Sequence, residues 1–130
     1  MNRRGFSLIE LIITLVIISI LASIVGVSYH HQVVRVWRVE ASTALLEAGM
    51  RMEAYHFDYH TYAGATPALL NMPELTEGQH YKLCVENADA ETYQLRADPL
   101  FEDVTCDVFL FNSEGKKQVT GEAGVGECWA

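Results

Sequence analysis

The chain has 130 residues, half of them apolar, and a formal net charge of −8 at pH 7. That length suits one domain plus an extension and argues against two cores. Two of the nine Lys or Arg precede Gln32 and one of the seventeen Asp or Glu does, so seven bases face sixteen acids from there on, a net of −9; phosphate neutralisation by cations supplies most nucleic-acid affinity, so this balance argues against a nucleic-acid partner and suits a solvated periplasmic or extracellular domain.

The chain opens Met1-Asn2-Arg3-Arg4-Gly5-Phe6-Ser7-Leu8-Ile9-Glu10 and continues as an apolar run from Leu11 to Tyr29. At the helical rise that run is roughly 28 Å long, close to the hydrocarbon thickness of a bilayer. Arg3 and Arg4 favour a cytoplasmic N-terminus. Three readings compete. A secretory signal would use the small residues Gly26-Val27-Ser28 for cleavage, but the run exceeds a usual h-region. A plain anchor explains the length and the arginines and leaves Glu10 unexplained, although a carboxylate near hydrocarbon is costly and marks a partner. A pilin precursor accounts for every feature together.

Gly5-Phe6-Ser7-Leu8-Ile9-Glu10 followed by an apolar run resembles the prepilin signature of type IV pilins and related pseudopilins, and the short basic leader resembles that of type IVa prepilins. The resemblance implies cleavage after Gly5 by a prepilin peptidase, N-methylation of the new terminus Phe6, and an assembly role for Glu10. Cleavage would create an ammonium on Phe6, at the positive end of a helix dipole. Packed in an apolar environment, Glu10 needs a cation, and a neighbouring subunit's Phe6 ammonium is the one that packing brings close. Such a pair would fix the axial stagger of neighbouring helices, since a wrong register leaves a charge unpaired. Phe6 and Glu10 are also four apart in one helix, so an internal pair is the alternative.

No proline occurs before Pro67, so one helix is expected from about Phe6 to about Tyr59. Trp37, Ala41, Ala44, Leu45, Ala48, Met52 and Tyr55 recur at steps of three and four and form one apolar face. Glu47 and Arg51 are a favourable i,i+4 pair on another face. Gly26-Val27 stands where some type IV pilins carry a helix-loosening proline. His56 and His60 are spaced to share a helical face, yet no third ligand has diagnostic spacing, and Tyr55, Phe57, Tyr59 and Tyr62 around them suggest packing. No metal or other cofactor is expected.

Gly64, Pro67, Pro73 and Gly78 punctuate a loop over 63–79. Strand patterns come next at Tyr81–Glu86 and Thr92–Ala97, joined through Asn87–Ala90, then at Asp107–Phe111 and, after Asn112–Gly115, at Lys116–Thr120. Three to four antiparallel strands on the helix give an α+β fold with the lollipop outline of a type IV pilin. Gly121–Gly126 is read as a loop. Lys82, Lys116 and Lys117 are the bases able to cluster. No arrangement of nucleophile and base has catalytic form, so an enzyme is not expected.

The expected organisation is a leader over 1–5, a transmembrane and assembly helix over 6–29, and a periplasmic head over 30–130, with the sheet within 80–120. Cys84, Cys106 and Cys128 make an odd count outside the cytoplasm, consistent with one bridge and one free thiol. The head also resembles minor pilins of the PilE type, through Arg51–Tyr55, Tyr59–Ala63, Tyr81–Pro99, Gly115-Lys116 and Cys128-Trp129. That resemblance implies a Cys106–Cys128 disulfide closing a loop over 106–128, with Cys84 free, although pairing of Cys84 with either cysteine stays open on the residues alone. It implies a subunit of a type IV pilus, held in the bacterial inner membrane before assembly and at the cell surface in the filament afterwards. Its partners are the prepilin peptidase, other pilins, the membrane and the inner-membrane assembly platform. A DNA-binding competence pilin and a type II secretion pseudopilin are the alternatives.

Overall fold

A computed structural model describes residues 5–129, with the side chains of all but residues 25–28, 30 and 31. In chain order the elements are α1 (Leu8–Tyr59), β1 (Tyr81–Ala88), β2 (Tyr93–Pro99), β3 (Phe109–Asn112), β4 (Lys117–Val119) and α2 (Val125–Cys128). The chain divides into two compact units, Met1–Arg35 and Val36–Ala130.

In the first unit, α1 starts where the Ser7 hydroxyl accepts the Glu10 N–H at 3.3 Å, satisfying one of the free donors of a helix N-terminus. The next polar side chains along the helix are neutralised locally. Thr14, Ser19 and Ser23 donate their hydroxyls to the carbonyls of Glu10, Leu15 and Ser19 at 2.7–2.8 Å, which is how hydroxyls are carried in an apolar helix. Arg3 and Arg4 of the expected leader lie outside the described residues, as do the side chains of His30 and His31. Among the described residues no helix is long and apolar enough to cross a membrane. Within the expected span the side chains of residues 25–28 lie outside the described ones.

In the second unit, α1 packs one face on a four-stranded antiparallel sheet of order β1-β2-β3-β4, so the fold is α+β. Ala41, Leu45, Ala48 and Met52 are fully buried, with Trp37, Ala44 and Tyr55 partly so, against Tyr81, Leu83, Leu95, Ala97 and Phe109. The expected apolar face is therefore the core face. Gly49 sits on it because a Cβ there would come 2.7 Å from the Phe111 ring. Cys106 and Cys128 form a disulfide across 22 residues, which ties α2 to the β2–β3 connection; Cys84 is free.

Four local expectations are corrected. β1 runs on to Ala88 through an irregularity between Val85 and Asn87. The turn after it is held by Asp89, whose carboxylate accepts the N–H groups of Glu91 and Thr92 at 2.9 and 2.7 Å. β3 begins at Phe109, because Asp107 has φ 53° and leaves the strand conformation. The stretch expected as loop at Gly121–Gly126 leads into the turn of helix α2. His60 lies past the end of α1 with φ 60°, so it does not share a helical face with His56, which packs on the Tyr62 ring at 4.4 Å.

Candidate assembly interface and head surfaces

The first unit is a helix with nothing of its own to bury. Phe6, Leu8, Ile9 and the large apolar residues from Leu11 to Leu21, with Ile24, are all more than half exposed. A helix apolar all round belongs in a membrane or inside an assembly. Glu10 is exposed on it and forms no ion pair among the described residues. Gly5 and Phe6 precede the helix.

The helix stays unpartnered on one side within the head as well. Val36, Val39, Leu46, Met50 and Phe57 are exposed, and their spacing puts them on one stripe opposite the core face, with Thr43 between.

The three arginines of the second unit are each paired with a carboxylate. Arg38 lies across Asp103 in a fork of two bonds at 3.0 and 2.8 Å. Burial pushes the Asp103 carboxyl up, but Arg38 and the Cys106 amide together pull it below the usual carboxylate range. Arg51 bonds Glu47 and the carbonyls of Leu70 and Asn71, and so carries the expected i,i+4 pair into the loop beyond the helix. Arg96 is engaged by Asp98 and Glu86 at 2.7 and 3.8 Å. Lys82, Lys116 and Lys117 form no ion pair among the described residues. They do not cluster, however: Lys82 is on β1 and Lys117 on β4, at opposite edges of the sheet, about 14 Å apart at the usual strand spacing. Lys117 instead lies 5.5 Å over the Trp129 ring. The largest groove of the head, about 690 Å³, is lined by Asp98, Glu102, Asp103, Asp107 and Glu122 with Arg96 as its one base, a lining that repels phosphate.

Cys84 is half-buried on the outward face of β1. Burial, with the nearby Asp98 charge, pushes its thiol up, which keeps it protonated and unreactive. Sequence reasoning missed the Arg38–Asp103 pair and the contact of Glu40 with the Gly78 amide at 2.6 Å. Separations of 65 and 38 residues leave no local pattern to read.

Comparison with known proteins now bears on these surfaces. Residues 1–26 match the prokaryotic N-terminal methylation motif. Residues 27–109 match the family described as type IV minor pilin ComP, DNA uptake sequence receptor. Among solved structures, the crystal structure of the Neisseria meningitidis non-core minor pilin PilV is similar, with a TM-score of 0.54 and 23% identity over 71% of this chain and 89% of that one; at that identity it supports the fold alone. No curated protein matches significantly. With a methylation motif at its start and the family model covering most of the remaining residues, this chain belongs to the type IV minor pilins of the ComP family.

Proposed function

We propose that this minor pilin is cut after Gly5 by a prepilin peptidase, methylated on Phe6, and built into a type IV pilus through its apolar helix, with Glu10 paired to the Phe6 ammonium of a neighbouring subunit. On this reading Leu11–Tyr29 holds the precursor in the inner membrane, with the head in the periplasm, and the assembly platform then moves the helix from lipid into the filament. The observation that carries the proposal is an exposed apolar helix interrupted by one carboxylate that has no ion-pair partner among the described residues. A charge in a low-dielectric core is stable only beside its counter-charge, so the pair selects one stagger between helices. The exposed stripe from Val36 to Phe57 supports the same reading, because it extends an apolar surface into the head.

The test is Glu10→Ala. Membrane insertion and leader cleavage should survive, while the variant should be missing from sheared filaments. Normal amounts of the variant in those filaments would refute the register role.

A second reading, contact with DNA, is favoured by the family's description as a DNA uptake sequence receptor. The bases available for it are Lys116 and Lys117 beside the β3–β4 turn, against a head of charge −9. Two phosphate contacts would give a log–log salt slope of about −2. A gel shift of the wild type that Lys116→Glu with Lys117→Glu abolishes supports this reading; no shift by the wild type at low salt removes it.

A further inference from the structure

The turn between the loop and β1 is fastened to α1 at one place, and the fastening contains a histidine. Glu40 on α1 accepts the Gly78 N–H at 2.6 Å. Its other oxygen lies 3.5 Å from Nδ1 of His80. The His80 ring stacks on Trp37 with centroids 4.1 Å apart and planes 18° from parallel, and Phe101 closes the far edge of Trp37 at 4.9 Å. Nδ1 of His80 is buried and has no hydrogen-bond partner. Gly78 is wedged into the same spot, since a Cβ there would come 2.6 Å from His80 Nδ1 and 2.7 Å from Glu40 Oε2.

We infer that Glu40, Gly78, His80 and Trp37 form a protonation-sensitive latch that fastens the 76–80 turn to α1 more firmly in acid than at neutral pH. A neutral ring meets Glu40 as its Nδ1–H tautomer, which offers the carboxylate an uncharged donor. Protonation makes that donor cationic and places a charge on the Trp37 face, two gains that arrive together. Histidine is the side chain whose ordinary titration falls between pH 5 and 8.

The surrounding charges leave Glu40 as the partner. Arg38, on the same helix, is committed to Asp103 in the β2–β3 connection. The Tyr81 hydroxyl is buried and pushed far up, so it stays neutral. Glu74 and Glu77 on the loop are exposed. Burial pushes the Glu40 carboxyl up, but Thr76, the Gly78 amide and His80 hold it below its usual range, so it is ionised between pH 5 and 8. The turn also walls a groove of about 560 Å³ that includes Val36, Val39, Leu75 and Leu83. The latch thereby controls how firmly one side of an apolar surface is held.

The latch is independent of filament assembly and is tested on the full chain in detergent micelles. In a Trp129→Phe background only Trp37 fluoresces, and a stacked imidazolium quenches indole emission. Emission should fall in a single proton step on acidification between pH 8 and 5. His80→Gln should remove the step while the other four histidines remain, and Glu40→Gln should shrink it. A step unchanged in His80→Gln overturns the latch. A second readout needs no variant: exchange protection of the wild-type Gly78 amide should drop several-fold from pH 5.5 to 7.5, and a pH-independent protection factor also overturns it.

Discussion

The two units solve opposite problems with one kind of element. From Leu8 to Ile24, α1 has its apolar side chains exposed and its hydroxyls bonded to carbonyls four residues back. From Val36, the same helix sorts its residues. Alanines, Leu45 and Met52 go under a sheet, and its charged residues reach across to the loop and the β2–β3 connection. On the proposed reading the first unit gains its stability from an environment, lipid or neighbouring helices, whereas the second has its own core. Glu10 is the group that neither solution covers, which is why it is the residue to ask about assembly.

The largest effect should separate the units most cleanly. Leu45→Ala empties a site that is 1% exposed and should cost about 3–4 kcal/mol of head stability. Leu15→Ala, at a site 57% exposed, should leave the melting temperature of the head unchanged. Equal shifts in thermal unfolding for the two variants would break the division. Removing the disulfide, with Cys106 and Cys128 both changed to Ala, should cost about 3 kcal/mol for a closed loop of this length, seen as a lower urea midpoint. Reducing agent should reproduce that shift in the wild type and do nothing to the variant.

Asp103→Asn sharpens the electrostatic side of the comparison. It leaves Arg38 facing a neutral amide at a side chain 3% exposed and should cost about 2 kcal/mol at neutral pH. The folded carboxyl titrates below its unfolded value, so its stabilisation is present above the unfolded value of about 3.9 and is lost as pH falls through the folded one. The wild-type advantage should therefore be full at pH 6 and shrink below about pH 4. An advantage that is unchanged down to pH 2.5 would show that the pair's charge is not the cause.

Much of this architecture was legible because its signals are periodic. Steps of three and four from Trp37 to Tyr55 mark the core face, and alternation at Tyr81–Val85 and Tyr93–Ala97 marks two strands. The misread start of β3 falls where a residue other than glycine takes a positive φ, at Asp107, since the neighbouring fold imposes that conformation with little trace in composition. The head's ionic contacts were illegible for another reason. Asp103 and His80 look like ordinary loop residues until folding brings Arg38, Glu40 and Trp37 beside them. The N-terminal site is the reverse case, since six consecutive residues carry it and, on the proposed reading, processing supplies its counter-charge.

On the proposed reading, processing at Gly5 supplies the cation on which assembly through Glu10 depends, and the intact mass of the subunit recovered from sheared filaments tests it directly. The mass should correspond to a chain that begins at Phe6 and carries one added methyl group, with fragmentation placing that methyl on the terminal nitrogen. A chain that still begins at Met1, or one that has lost the whole apolar segment, would contradict it.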